Sequence, residues 1–159
     1  MELYVKKLQE HAKLPQRAHP GDLGFDLFAL ETVAVQPGQT VAVKTGIACE
    51  FPEGWGGIIK ARSSQGKAGI DVFGGVVDSG YRGEITVLLY NSNAPIEFRG
   101  SGGPLGPNDF YQYDPTVIYN HGDKVAQLVL VPVFPGTIQE ATTLGESSRG
   151  TQGFGSTGR

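Results

Sequence analysis

The chain has 159 residues, a formal net charge of −3 and a pI near 5.6. That length predicts a single domain around one core, and the mild acidic balance excludes a surface built to coat nucleic acid, so any anion site must be a local cluster of cations. Cys49 stands alone and cannot form an internal disulfide, no stretch reaches the ~20 apolar residues of a membrane span, and no charged-then-apolar leader is visible, so a soluble, cytoplasmic protein with no membrane and no nucleic-acid partner is expected.

Glycine supplies 24 residues and proline 10, an excess that tight turns between many short strands explain. Residues 5–14, VKKLQEHAKL, are the one stretch open to a helical turn or two, and they are short and uncapped. From there apolar alternation dominates: TVAV runs into QPGQ, TVAVKTGIACEF into PEGWGG, and WGGIIKA, EITVLLYN and KVAQLVLVPVF follow. Period-two runs cut by Gly and Pro read as strands. With no internal repeat and no linker, they predict one all-β domain, a sandwich, a jelly roll or a distorted barrel. Residues 99–115, RGSGGPLGPNDFYQYDP, read as a long surface loop between strands. Residues from Ser147 onward lack periodicity and apolar content, and cannot fold alone.

Polar residues gather in residues 57–91, GIIKARSSQGKAGIDVFGGVVDSGYRGEITVLLYN. Two apolar strands enclose Arg62, Ser63 and Ser64, followed by a glycine-edged hairpin that presents Asp78 and Tyr81. Taken singly, Arg62 reads as an ion pair, the serines as turn caps and Tyr81 as packing beside the hairpin; in one run they read as a site. SSQGKAG is not a Walker A loop, because Ala61 and Ala68 fill the required Gly and Ser/Thr places. His11, His19 and His121 stand far apart with no Cys or His at ligand spacing, which leaves a structural zinc unsupported. Gln127 interrupts VAQLVLVPV on the face shared by Val125 and Val129, and needs a backbone or ligand partner, of which the backbone is favoured. The terminal GFGSTG satisfies G-x-G-x-x-G but opens no helix, so it is not a dinucleotide-binding turn.

Five blocks occur in order: LGFDLFA at 23–29, ARSS at 61–64, GGVVDSGYRGE at 74–84, GDKVAQL at 122–128 and RGTQGFGSTG at 149–158. Together they resemble the homotrimeric deoxyuridine triphosphatases, the dUTPase family. The resemblance implies a distorted jelly roll assembling as a homotrimer with active sites at subunit interfaces, and hydrolysis of dUTP to dUMP and pyrophosphate with Mg²⁺ on the phosphates. It divides the chain into a β domain over 1–146 and a flexible glycine-rich arm over 147–159 that closes on the nucleotide. It implies that Asp78 orients the attacking water as general base, and that Tyr81 packs on the deoxyribose and leaves no room for a 2′-hydroxyl. Arg62, Ser63 and the Ser64 N–H would donate to phosphate, Gln127 to the α-phosphate region, and Asp26 would hold the hydrated Mg²⁺ through its waters. Uracil would be read by backbone around Val72, Gly75 and Val77. Arg149 would pair with phosphate, Phe154 would stack on uracil, and Gly153, Gly155, Ser156 and Thr157 would close on the γ-phosphate.

The blocks depart from the family pattern at Ala61, where proline is usual, at Ser64, where glycine is usual, and at Gly80, where aspartate is frequent; none of these removes a catalytic group. The dCTP deaminases share this fold, but the strand that carries their catalytic glutamate reads TVLL here, with Leu88 in the acid's place, and leucine cannot shuttle protons. A non-catalytic, nucleotide-dependent interaction module on the same scaffold is the second alternative. A plain β-sandwich adhesion domain would leave all five blocks unexplained.

Overall fold

The period-two runs fold as strands, and their inward residues build one core. The computed structural model describes residues 2–99, 110–113, 115–148 and 150–151. In chain order these form β1 (Tyr4–Lys7), β2 (Gly24–Phe28), β3 (Val33–Val35), β4 (Thr40–Glu50), β5 (Trp55–Lys60), α1 (Ser63–Lys67), β6 (Ile70–Phe73), β7 (Val76–Val77), β8 (Glu84–Asn91), β9 (Ile96–Arg99), β10 (Phe110–Tyr113), β11 (Val117–Tyr119) and β12 (Lys124–Pro132). One four-stranded sheet runs β1-β4-β8-β6 and the other β2-β12-β5-β7, while β3 pairs with β11 and β9 with β10. This is the expected all-β, jelly-roll type of architecture. Leu27, Val43, Ile47, Ile59, Val87, Leu89 and Leu128, drawn from both large sheets, pack into a single cluster. Burying each such side chain contributes about 1.5–3 kcal/mol. No helix among the described residues is long and apolar enough to cross a membrane.

The alternation of β8 decides what faces the site. Ile85, Val87, Leu89 and Asn91 are buried, so Glu84, Thr86 and Leu88 point to the opposite face. Two register shifts matter as well. Between Lys44 and Ala48, β4 slips against β8, and Gly46 at φ +69° makes the kink. A Cβ there would overlap Leu30 and Ala12, so only glycine fits. Between Lys124 and Ala126, β12 slips against β2 and leaves Val125 outside the pairing register.

Three local expectations change. The segment tested for a helical turn starts instead as strand β1, with Val5 opposite Cys49, because the exposed edge of β4 satisfies its backbone better than a short uncapped helix could. The glycine-edged hairpin is not a paired hairpin: β6 joins β8 and β7 joins β5, so Gly74 and Gly75, at φ +67° and +90°, carry the chain from one sheet to the other. The loop over 99–115 is in part a two-stranded ribbon, with Phe110 opposite Arg99 and Tyr113 opposite Ile96. Helix α1 was not anticipated, since five residues are too few to show a 3.6-residue period.

Candidate active site

Those functional residues named from sequence that the structure describes fall into two cavities. The first, of about 230 Å³, is walled by Ile59, Val72, Gly75 and Val77 and by the outward face of β8, with Asp78 and Tyr81 at its edge. A turn presents the last two: Tyr81 N–H donates to the Asp78 carbonyl at 3.0 Å. Ser79 Oγ anchors that turn on the Trp55 carbonyl at 2.6 Å, and Arg82 donates to the Ser79 carbonyl at 2.7 Å. The Asp78 side chain is left exposed. Tyr81 is 48% exposed, donates from Oη to the Glu84 carbonyl at 3.1 Å, and lays its ring against Gly83, where a Cβ would overlap it.

A second carboxylate, Glu84, lines the same cavity. Its Oε1 accepts the Gly46 N–H at 2.8 Å, the donor that the β4 kink releases from the ladder. Part of the backbone proposed to read a base is likewise engaged: Val72 N–H donates to Asp71 Oδ1 at 2.7 Å, and the Gly75 carbonyl accepts from Ile59 N–H at 2.7 Å. A Cβ at Gly75 would strike the Ile59 carbonyl, so this close backbone approach requires glycine.

The second cavity, of about 420 Å³, is polar and is lined by Asp22, Asp26, Arg62, Ser63, Ser64 and Gln127. Asp26 is buried on β2 between two cations, with Arg62 Nε 3.1 Å from Oδ1 and Lys124 Nζ 2.7 Å from Oδ2. Arg62 thus makes the ordinary ion pair and lines the cavity as well. Gln127 donates from Nε2 to the Ala61 carbonyl at 3.2 Å, the backbone partner favoured over a ligand. Gly24 makes room for it, since a Cβ there would overlap Gln127 Oε1. Asp22 Oδ2 accepts the His19 N–H at 2.8 Å and holds the turn that precedes β2.

Among the described residues no three His, Cys, Asp or Glu side chains gather as a metal cage. The one carboxylate inside the polar cavity that is buried, Asp26, has both oxygens on cations, a donor set compatible only with a hydrated ion met through its waters. The rings of His11 and His121 lie 5.4 Å apart, and His121 Nδ1 is 2.7 Å from the Leu30 carbonyl, a structural arrangement. Burial pushes the Cys49 thiol up to about 11. Arg62 and Asp78, which the sequence run joined, line different cavities. Arg149, Gly153, Phe154, Gly155, Ser156 and Thr157 lie outside the described residues. Lys124 and Glu84 were missed: each lies inside a quoted block, but its partner is set by a strand register that a sequence does not display.

The sequence profile of the dUTPase family matches residues 10–99 and 110–158. The chain belongs to the dUTPase family. The residues the profile skips, 100–109, fall between the two strands of the ribbon. The deoxyuridine 5′-triphosphate nucleotidohydrolase of Clostridium tetani is 39% identical over 160 residues, covering 99% of this chain and 97% of that protein. The dUTPase of Staphylococcus bacteriophage 80alpha, solved with dUpNHpp, superposes with a TM-score of 0.83 at 28% identity and 99% coverage of both chains. A single-residue variant of the dUTPase from phage phi11 of S. aureus, whose structure details the coordination of a structural Mg(II) ion, gives a TM-score of 0.74 at 31% identity, covering 90% of this chain and 98% of that one.

Proposed function

We propose that this chain hydrolyses dUTP to dUMP and pyrophosphate, limiting uracil incorporation into DNA and supplying dUMP. The observation that carries the reading is the first cavity, a small apolar slot with one unengaged carboxylate, Asp78, beside the ring of Tyr81. Glu84, the other acid there, is tied to Gly46 N–H. Asp78 then takes a proton from water as the water oxygen bonds to the α-phosphorus; the bond from that phosphorus to the bridging oxygen breaks, and pyrophosphate leaves. A positioned base of this kind contributes about 10² to 10⁴ in rate. Tyr81 covers the deoxyribose face, and backbone around Val72, Gly75 and Val77 reads uracil.

The polar cavity takes the phosphates, with Arg62, Ser63, Ser64 and Gln127 as donors. Asp26, which keeps Arg62 and Lys124 in place, would also meet the waters of a Mg²⁺ ion bound with the nucleotide, and that ion would supply charge neutralisation. In the homotrimer we propose, a complete site joins the first cavity of one copy to the polar cavity of another. The segment after β12 supports that assembly: Phe134, Ile138 and Leu144 are 79%, 101% and 90% exposed on their own chain, apolar surface that a second copy would cover. The arm over 147–159 closes on the nucleotide, with Arg149 on phosphate and Phe154 on uracil.

The purified protein is incubated with Mg²⁺ and each deoxynucleoside triphosphate, or UTP, and followed for pyrophosphate and ammonia. Pyrophosphate from dUTP, with far slower release from dTTP and UTP, is expected. Ammonia from dCTP would assign a deaminase despite Leu88, and tight binding without turnover would assign an interaction module.

A further inference from the structure

Gln65 lines neither cavity, yet it is only 5% exposed, and all of its amide is engaged. Oε1 accepts the Arg62 N–H at 2.9 Å, while Nε2 donates to Tyr119 Oη at 3.0 Å and to the Val125 carbonyl at 2.8 Å. Val125 is the residue that the β12 bulge leaves outside the pairing register, so Gln65 serves a carbonyl at the very point where the ladder with β2 is interrupted. Tyr119 is buried on β11, and burial raises its phenol above the ordinary tyrosine value, so the hydroxyl stays protonated as the partner of Gln65. One side chain therefore ties the start of α1 to β11 and to the bulge of β12.

A buried amide is costly unless every group is satisfied, and an apolar residue would fill the same space without that demand. What the amide adds is direction. It fixes the backbone of Arg62 at φ −77°, ψ 154°, from which the guanidinium reaches Asp26, and Gln127 holds the preceding Ala61 carbonyl to the same strand, β12. The bulge, the ion pair and the serines thus share one mechanical connection.

We propose that Gln65 is a positioning residue for the polar cavity, holding Arg62, Ser63 and Ser64 in the one arrangement that meets a triphosphate. This rests on reading that cavity as the phosphate site. Gln65→Met keeps the length and apolar volume of the side chain and removes all three hydrogen bonds. The readouts are the dissociation constants of a non-hydrolysable dUTP analogue and of deoxyuridine, and KM against kcat for dUTP. The triphosphate analogue is expected to bind about tenfold more weakly, with KM rising in step, while deoxyuridine stays within about twofold. A merely structural role would shift both ligands equally or neither, and either result overturns the proposal. Arg62→Ala, measured alongside, separates the two readings: unchanged triphosphate affinity in that variant rejects the phosphate site itself, whereas loss at Arg62 with none at Gln65 rejects only the clamp. Should Gln65→Met fail to fold, Tyr119→Phe removes a single hydroxyl and is expected to weaken the triphosphate analogue alone by about threefold; no change there overturns the proposal.

Discussion

Gly83→Ala separates the geometry of the site from the stability of the fold. A Cβ at position 83 would fall inside contact distance of three atoms of Tyr81: Cε2, Cζ and Oη. Carbon atoms pack at about 3.5–4.0 Å, so the ring must swing away by about 1 Å. The backbone itself is indifferent, since Gly83 is not among the glycines with positive φ. Moving the ring forfeits the exposed hydrogen bond from Tyr81 Oη to the Glu84 carbonyl, about 0.5–1.5 kcal/mol. Removing glycine from the unfolded chain returns about 0.4–1 kcal/mol, so the two nearly cancel. The melting temperature should therefore move by no more than about 4 °C. Activity should not be spared, because a misplacement of about 1 Å can cost about 10²-fold in rate. The expected result is a fall of about 10- to 100-fold in kcat/KM for dUTP, with partial loss of discrimination against UTP as the ring leaves the sugar. Scanning calorimetry and pyrophosphate release measure the two quantities. Wild-type kcat/KM in a folded Gly83→Ala protein would refute the placement of Tyr81 on the sugar.

Asp78→Asn should lower kcat by about 10² to 10⁴ while a non-hydrolysable dUTP analogue still binds, and near-normal turnover would require another base. Deleting residues 149–159 should leave the ligand-free melting temperature unchanged and reduce kcat severely; full activity would make the glycine-rich end dispensable. Chelating Mg²⁺ should weaken the triphosphate analogue and leave deoxyuridine binding unchanged, and an equal effect on both would locate the cation elsewhere. The Cys49 thiol, at about 11 when folded, lies above the ordinary value of about 8.5, so its contribution to stability is complete below about pH 8 and is lost as pH rises toward 11. Denaturant titrations of the wild type and Cys49→Ala should diverge over that range, and parallel pH profiles would refute the shift.

What the sequence displayed was whatever depends on neighbours along the chain. The alternation in β8 is visible residue by residue, and of the backbone or ligand partner that Gln127 required, the favoured backbone is the one it has. What it concealed depends on pairing. The bulges exist only because two strands slip against each other, so neither the service of Gln65 to Val125 nor that of Gly46 to Glu84 could be read beforehand. The glycine pair at 74 and 75 advertised a reversal, but whether the flanking strands pair with each other or leave for separate sheets is decided by β5 and β8, far away in sequence. Polar residues that looked like one site in residues 57–91 line two different cavities.

The charge balance of the polar cavity explains why a nucleotide would need to bring its own cation. Arg62 and Lys124 are offset by Asp22 and Asp26, and both oxygens of Asp26 already hold a cation. The described residues therefore present donors and no formal excess of positive charge, while a triphosphate carries several negative charges. At an effective dielectric of about 20, each unopposed pair of unit charges about 4 Å apart is worth about 4 kcal/mol, more than a neutral hydrogen bond returns. A bare triphosphate placed beside Asp26 would be repelled unless a divalent ion or a further arginine came with it, the part proposed for Arg149. The apolar cavity, if it takes uracil and deoxyribose as proposed, has no such requirement, since both are uncharged. On the proposed reading, recognition of the base would be built into each chain, tolerance of the phosphates would be imported, and metal dependence would belong to the phosphates alone.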